Sequence, residues 1–240
     1  MYRSFPMADR ATSALELFGY ILDGLSDSTG GRSALDTAVP GLVPGRWTID
    51  TAHSEIAFTI RHLMTTVRGS FTEFEGELHI ADDPLGSWAR AEIAMASIDT
   101  RNEERDAHVR SPEILDVARF PTMTFLGTHV ERATIGRRAR TPRYHLDGDL
   151  TIWDVTRPVR LLVEFHGVDG DPALGTRAGF TATTSLSRAD FGIEFNIPMQ
   201  GDKLLLGDTI AIELEIQAVL DEPTGALGRP AADRSAGDDS

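Results

Sequence analysis

The sequence predicts an all-β protein of eight or nine antiparallel strands that form a barrel or a sandwich, with a short N-terminal helix and a disordered C-terminal tail. Three observations carry this prediction. Between Trp47 and Leu220, apolar side chains recur at every second position, which is the period of a half-buried strand. Short turns such as 153–155 separate several of these segments, which favours an antiparallel meander. Such strands must close into a barrel or stack as a sandwich, because open edges invite aggregation.

Residues 1–44 form an N-terminal extension. Ser13 can cap a helix with Glu16 three residues later, and apolar side chains fall near one face over residues 13–25. Glycine and proline pairs then indicate a linker over 26–45. A helix of about three turns is marginal alone. Its apolar face is therefore expected to pack on the protein's own body, with a lid or a self-association element as the sharper alternative.

The strand region spans residues 45–220 and contains eight or nine alternating segments. Ile56, Phe58 and Ile60 open the pattern, and it ends in the run from Ile210 to Ala218. Residues 221–240 lack apolar periodicity and are dominated by Gly, Pro, Ala, Asp and Ser. Such a composition buries too little apolar surface to offset the entropy of ordering, so this tail is predicted to be disordered.

Small residues occur in register with the apolar face of several strands. Gly76, Ala91, Gly148 and Ala182 occupy such positions. In a closed barrel of about eight strands, the interior either fills with side chains or holds one small ligand. Small side chains there leave room in the middle, but they equally fill a tapering barrel or relieve strain at a bend. Both readings stay open at this point.

Composition excludes several classes of function. With 23 basic and 37 acidic residues the net charge is −14, so we expect no nucleic-acid partner. The absence of cysteine removes disulfides, thiolate metal sites and cysteine nucleophiles. The N-terminus shows no uninterrupted apolar signal segment, and no stretch approaches the roughly 20 apolar residues of a membrane span. A cytoplasmic protein with no integral membrane segment is therefore the expectation.

A series of short motifs in the strand region resembles the polyisoprenoid-binding, YceI-like family. They occur in the order and at the spacing of that family, over about residues 45 to 220. The motifs are WTID at 47–50, FTIRH at 58–62, GSFTEFEG at 69–76, SIDT at 97–100, RDAH at 105–108, GDLTI at 148–152 and SRADFG at 187–192.

The resemblance implies a lipocalin-like barrel of eight antiparallel strands with a hydrophobic channel for a long isoprenoid chain. Two departures are visible. Family members of Gram-negative bacteria carry a secretion signal, whereas this chain carries an acidic, linker-joined extension. The segment 113–117 also has aliphatic residues where the family often has aromatic ones.

The segment 100–121, TRNEERDAHVRSPEILDVARFP, interrupts the strand pattern with charged residues. Arg105, Asp106 and His108 are the candidate contacts for a lipid headgroup at the barrel mouth. The alternative is structural, with ion pairs and hydrogen bonds that hold the loop. Acidic and basic side chains nearly cancel over this segment, which favours a neutral or weakly polar headgroup over a diphosphate.

No motif supports catalysis or a metal site. A catalytic constellation needs converging groups, which neighbours in sequence do not supply, and metal-binding patterns such as HExxH or an acidic calcium loop are absent from the sequence. We therefore expect a protein that is not an enzyme and holds no metal and no cofactor other than a bound isoprenoid lipid.

The predicted function is binding or sequestration of a long-chain isoprenoid, of quinone or polyprenyl type, or of a related amphiphilic lipid. The alternative is a filled barrel that acts as a structural or stress-related interaction module, and a homodimer is compatible with either. Alternation alone does not decide which face points inward. The candidate channel residues are Phe58, Ile60, Phe71, Phe74, Leu78, Ile93, Met95, Phe125, Gly148, Leu150, Val163 and Phe165.

Overall fold

The computed structural model of the chain describes residues 41–133, 141–171, 175–196 and 205–221. The predicted helix at 13–25 and nearly all of the predicted tail at 221–240 lie outside these ranges. Within them are eleven strands and one α-helix, α1 (Glu103–Arg110). The strands are β1 (Gly45–Ile49), β2 (Glu55–His62), β3 (Thr65–Phe71), β4 (Phe74–Ile80), β5 (Trp88–Ala94), β6 (Ile98–Asp99), β7 (Thr122–Arg132), β8 (Arg143–Ile152), β9 (Val155–Asp171), β10 (Gly175–Ser187) and β11 (Leu206–Leu220).

The sheet closes on itself through β1, which pairs with β4 on one side and with β11 on the other. The closed ring contains eight strands in the order β1, β4, β5, β7, β8, β9, β10 and β11, and neighbouring strands are antiparallel. β2, β3 and β6 extend the same sheet from the first half of β11. The predicted eight-stranded antiparallel barrel is confirmed, and closure removes the exposed edges that an open sheet of this length would present.

Asp50 lies where β1 ends before β2 begins. Its carboxylate accepts hydrogen bonds from the backbone N–H of Ala52 (3.1 Å) and from Nδ1 of His53 (2.9 Å), and it pairs with the guanidinium of Arg177. The N–H of Asp50 donates to the carbonyl of Gln217 on β11 (2.8 Å), so the connection between β1 and β2 is hydrogen-bonded to β11. Asp50 therefore ties three segments of the barrel together.

We expect Asp50→Asn to lower the free energy of unfolding at neutral pH by about 1–2 kcal/mol, because the partly buried ion pair with Arg177 is lost. The Arg177 guanidinium holds the pKa of the Asp50 carboxyl below its usual value. A lowered folded-state pKa stabilises the protein above the unfolded-state pKa, and this stabilisation is lost as the pH falls through the folded value. Urea denaturation should therefore show the difference between variant and wild type at pH 7, and the difference should shrink as the pH falls below the usual pKa of an aspartate.

Two apolar clusters occupy opposite ends of the barrel. One contains Trp47, Tyr144, Phe165, Ala178 and Ala218, and Trp47 is fully buried. The other gathers Met95, Leu115, Leu150, Phe191 and further residues near the β8–β9 turn. Leu115, which lies outside the ring on the segment between β6 and β7, belongs to this second cluster, so this end of the barrel is filled.

Within the described ranges, no helix combines the length and the apolar character needed to cross a bilayer.

Candidate ligand-binding cavity

An apolar cavity of about 170 Å³ lies inside the ring, between the middle of the barrel and the end formed by Trp47 and Tyr144. Strands on every side of the ring contribute to its wall, because inward-facing side chains recur at every second position of each strand. The wall residues on the strands include Ile49, Ile56, Phe74, Leu78, Ile80, Ala89, Ala91, Phe125, Val130, Tyr144, Leu146, Leu161, Val163, Phe165, Phe180, Ala182, Leu214 and Ile216.

Leu42, before β1, lines the cavity together with Pro84, Ser87 and Trp88, which lie where the chain passes from β4 into β5. The Asp83 carboxylate caps the single helical turn at 84–86 by accepting from the N–H of Leu85. We define Leu42, Pro84, Ser87 and Trp88 as the rim. Apart from Trp88, which begins β5, the rim consists of short connections rather than long strands.

Few polar groups face the cavity. The hydroxyl of Ser87 accepts from the backbone N–H of Ala81 (3.1 Å) and keeps its own proton for a second bond. Tyr144 is buried, and this burial raises the pKa of its hydroxyl, so the side chain is neutral and able to donate at physiological pH. The wall can therefore offer hydroxyl groups to a ligand.

Among the wall residues in the described part of the chain, Arg90 carries a positive charge. Its Nε lies 2.6 Å from Oε1 of Glu77, and the same carboxylate also pairs with Arg46. Glu77 is buried, with 7% of its surface exposed. Arg46 also pairs with Asp221, so two carboxylates balance the two arginines and Arg90 brings no uncompensated positive charge to the cavity.

The structure divides the candidate channel residues into groups. Phe74, Leu78, Phe125, Val163 and Phe165 line the cavity. Phe58, Phe71, Met95 and Leu150 pack instead in the cluster at the filled end, and Ile93 is buried without facing the cavity. Ile60 is half-buried on β2, on the part of the sheet that extends beyond the ring. A channel role for these six residues stays a prediction that their positions do not favour.

Gly148 lies beside an irregularity in the pairing of β7 and β8, where the register shifts between Gly127 and His129. A Cβ atom at Gly148 would meet the backbone of Leu126 and would come within 2.5 Å of the Cα of Gly127. This glycine is needed for the close approach of two strands at a bulge. A bulky residue here would disturb strand pairing before it filled any channel, so Gly148 is not a clean probe of the cavity.

Arg105, Asp106 and His108 lie on α1, at the filled end and away from the cavity wall. The buried Asp106 carboxylate accepts from the N–H of Thr100 (3.0 and 3.1 Å) and from its hydroxyl (2.5 Å). Arg105 donates to the hydroxyl and carbonyl of Thr100, and His108 contacts Glu113 at 3.0 Å. These contacts support the structural alternative, and headgroup contact by the three residues stays a prediction that the geometry does not favour.

Helix α1 is not predicted by the sequence pattern. Asn102 caps its N-terminus by accepting from the N–H of Arg105 (2.9 Å), and acidic residues occupy its first turn. Both features stabilise a helix N-terminus. The cap was visible in the sequence, but eight mostly charged residues carry no apolar periodicity to indicate a helix.

The apolar half of the interrupting segment closes the filled end. Leu115 is buried there, and its carbonyl accepts from Nε1 of Trp153 at 2.7 Å. The ring of Phe120 contacts that of Trp153 with centroids 6.0 Å apart. Segment 100–121 therefore acts as a plug between β6 and β7. The charged residues of this segment hold the plug in place through hydrogen bonds.

The profile of the YceI-like domain matches residues 47–218, which covers the closed ring and the plug. The chain belongs to the YceI-like family. A UPF0312 protein of Vibrio vulnificus is 33% identical over 177 residues, covering 72% of this chain and 86% of that protein. A UPF0312 protein of Vibrio parahaemolyticus is 33% identical over 191 residues, covering 78% of this chain and 94% of that protein.

Solved structures share the fold of this YceI-like chain. BcnA of Burkholderia cenocepacia matches with a TM-score of 0.58 and 19% identity, over 71% of this chain and 99% of that chain. A polyisoprenoid binding domain from Saccharophagus degradans, implicated in plant cell wall breakdown, matches with a TM-score of 0.53 and 13% identity over 73% and 98% of the two chains. A YCEI protein of Campylobacter jejuni gives 0.55 and 24%, over 72% and 96%. At these identities the likeness shows the fold alone.

Several cavity residues of this YceI-like barrel are not among those predicted from the sequence. Tyr144, Leu146, Leu161, Phe180 and Leu214 line the cavity but were not among the candidate channel residues. All five lie on predicted alternating strands, so the signal was present. Alternation does not reveal the register between neighbouring strands. That register decides which apolar residues meet at one level of the barrel.

One cluster of potential metal ligands lies on the outer face of the barrel. His129, Glu131 and Asp147 bring their ligand atoms within 4.8 Å of one another. Both oxygens of Asp147 accept from Arg160 at 2.6 Å, and this ion pair lowers the pKa of Asp147. A guanidinium already compensates the charge that would attract a cation, so the cluster is explained as a surface ion-pair network.

Proposed function

We propose that this YceI-like protein binds the apolar chain of an isoprenoid or related amphiphilic lipid in the barrel cavity. The observation that carries the proposal is the chemistry of the cavity wall, which is apolar on every strand of the ring apart from a few hydroxyl groups. Ligand pockets combine such walls with a small number of placed polar groups. The polyisoprenoid binding named for the Saccharophagus degradans domain supports the same assignment.

Burial of the chain supplies most of the affinity. Each methylene removed from water contributes roughly 0.8 kcal/mol. A cavity of about 170 Å³ is close in size to one that holds a benzene ring, so about six enclosed carbons would give roughly 5 kcal/mol, before the costs of immobilising the chain are subtracted. Further units of a long isoprenoid would add apolar contacts where the chain leaves the cavity at the rim.

The headgroup of the proposed ligand is neutral, as in a quinone, rather than a diphosphate. A diphosphate requires clustered cations, whereas Arg90 is already paired with the buried Glu77. Ser87 and Tyr144 instead offer hydroxyl groups that can donate to a carbonyl oxygen. The near-neutral charge of segment 100–121 favours the same class of headgroup. The groups proposed to contact it, Ser87 and Tyr144, lie outside that segment.

Tyr144→Phe tests the headgroup contact. It removes one hydroxyl and leaves the ring that packs against Trp47 and Phe165. We expect about a tenfold loss of affinity for an isoprenoid quinone, since one hydrogen bond contributes about 1 kcal/mol or slightly more. Affinity for the matching isoprenoid hydrocarbon should not change. Fluorescence titration with both ligands measures the two values, and equal losses for both would contradict a headgroup role for Tyr144.

We propose that the protein performs no chemistry on this lipid. The His–carboxylate pairs of the described residues, such as His53 with Asp50 and His108 with Glu113, lie outside the cavity wall. General acid–base catalysis needs such a group within hydrogen-bond reach of the reacting atom. The arrangement therefore supports binding and sequestration.

Native mass spectrometry of the freshly purified protein tests the proposal. We expect an additional mass of an isoprenoid-type lipid, or uptake of one when lipid-stripped protein is exposed to a bacterial lipid extract. A protein that carries no lipid and takes none up would contradict the proposal and favour a filled barrel acting as an interaction module. The cytoplasmic location, the homodimer and a link to stress stay predictions, which cell fractionation, light scattering and expression measurements address.

A further inference from the structure

The hairpin formed by β2 and β3 ends in two apolar residues that point into solvent. The strands pair from Ile56 opposite Phe71 to His62 opposite Thr65, leaving Leu63 and Met64 as the two-residue turn. Leu63 is 43% exposed and Met64 is 90% exposed. We call this two-residue turn the hairpin tip. It projects from the part of the sheet that extends beyond the ring, so neither side chain contributes to either apolar cluster.

Leu63 adopts a left-handed backbone conformation, with φ of 52°. Glycine, asparagine and aspartate are the usual residues at such turn positions, because a larger side chain is strained there. The N–H of Leu63 is held by the carbonyl of Leu205 at 2.9 Å. Leu63 takes this strained conformation although 43% of its surface is exposed, and backbone strain of this kind concentrates at functional sites.

The outer face of the same hairpin is cationic. Arg68 lies opposite Thr59 and Arg61 lies opposite Thr66, so the two arginines are diagonal neighbours on one face. In the described part of the chain neither guanidinium has an ion-pair partner, and both residues are exposed. No acidic residue occurs from 56 to 72. The carboxylate nearest to Arg61 along the ladder is that of Asp208, in the bulge of β11 opposite Arg61, and it accepts from Ser187 Oγ (2.6 Å) and from the N–H of Ala189 (3.2 Å).

This local positive charge stands out in a chain whose net charge is −14. Charges separated by more than about 8–10 Å are largely screened at physiological ionic strength. The β2–β3 hairpin therefore presents its own basic surface to an approaching partner, because acidic groups farther away than this have little effect there.

We propose that the β2–β3 hairpin docks the barrel on an anionic lipid bilayer. Leu63 and Met64 would enter the interfacial layer while Arg61 and Arg68 contact lipid phosphates. Peripheral proteins bind membranes through this combination of buried apolar side chains and attraction to anionic lipid. The proposal concerns the outer surface of the protein and does not depend on lipid binding in the cavity.

A bilayer fits this surface better than a protein groove does. A specific protein interface usually buries at least about 1,000 Å², which two projecting side chains do not provide. A membrane surface needs no shape complementarity, and each basic residue close to an anionic leaflet contributes about fivefold in partitioning. The small apolar tip with two flanking arginines therefore matches a fluid anionic surface.

Co-sedimentation of the full chain with vesicles tests the proposal. We expect binding to vesicles of equal parts phosphatidylcholine and phosphatidylglycerol, and much weaker binding to phosphatidylcholine alone. Replacing Met64→Glu should lower binding at least about tenfold, because it removes the apolar contact and adds a repelled charge. The double replacement of Arg61→Gln with Arg68→Gln should lower it about 25-fold on the anionic vesicles, at about fivefold for each arginine.

Two further variants separate docking from general damage. Leu63→Asn suits the left-handed conformation and removes the apolar side chain, so it should weaken vesicle binding without lowering Tm. The matched control is Leu126→Asp, which removes another exposed leucine, 49% exposed and on the ring; it should leave vesicle binding unchanged.

Several results would overturn the docking proposal. Wild-type protein that binds neither vesicle type would contradict the proposal. Equal vesicle binding by wild type and Met64→Glu would also contradict it. Self-association that disappears in Met64→Glu, in the absence of vesicle binding, would assign the hairpin tip to a second copy of the chain instead. Native mass spectrometry of Met64→Glu should show unchanged lipid occupancy, so failure of cavity binding and failure of docking are distinguishable.

Discussion

Val163→Trp is expected to remove most of the bound lipid from the purified protein while the barrel stays folded. Val163 lies on β9 between Tyr144 of β8 and Ala182 of β10, and all three residues line the cavity. Val163 is only partly buried because its side chain faces this space. An indole ring at this position would occupy volume that the lipid chain otherwise fills.

The expected loss is large because each displaced methylene costs roughly 0.8 kcal/mol. Displacing three or four of them would weaken binding by about 3 kcal/mol, which is roughly a hundredfold change in Kd. Overpacking in a closed core costs about 1–3 kcal/mol of stability, and an existing cavity keeps the cost near the lower value. Native mass spectrometry gives the occupancy, and circular dichroism shows that the strands persist.

The matched control is Leu126→Trp. Leu126 is also an aliphatic residue on the ring, but half of its surface is exposed on the outside, at 49%. This variant should keep wild-type lipid occupancy. If Val163→Trp retained full occupancy while folded, the lipid would not occupy the cavity described here.

Asp106→Ala is expected to lower the free energy of unfolding by about 3–5 kcal/mol. The buried carboxylate accepts both the N–H and the hydroxyl of Thr100, and Thr100 in turn receives two bonds from Arg105. Removing the carboxylate leaves both the buried N–H and the hydroxyl of Thr100 without their charged acceptor. Such a loss is a large part of the 5–15 kcal/mol that stabilises a typical domain.

Urea denaturation at constant pH measures this loss. Glu104→Ala is the control, because Glu104 lies on the same helix but is exposed, and surface substitutions usually change stability by less than about 0.5 kcal/mol. Lipid occupancy of the folded Asp106→Ala protein should equal that of wild type. Unchanged stability together with lost occupancy would instead show that Asp106 contacts the headgroup.

The barrel could be predicted because each strand carries its own pattern. Alternation at Phe74 to Ile80 or Ile210 to Ala218 is local, and the need to cover one apolar face of each strand follows from it. The family motifs added the strand number and the closed topology. The plug could be predicted in part, since the apolar run from Ile114 to Phe120 requires burial wherever segment 100–121 lies.

The candidate site was harder to predict because it depends on long-range register. Leu150 and Leu146 lie on the same strand and face the same side, yet Leu150 packs in the filled end and Leu146 lines the cavity. Their difference lies in their height along the barrel, which the pairing of β8 with β7 and β9 sets. Period-two alternation contains no information about height.

For the charged residues, sequence alone determined that an acid–base group interrupts the strands and that its charges nearly cancel. Only the tertiary structure decided that Asp106 and Arg105 converge on Thr100 inside the plug, while Arg90 converges with Arg46 on Glu77 beside the cavity. The physical reason is that residue types and strand periods are local properties of the chain. The partner of a buried charge depends on which strands the closed barrel brings together.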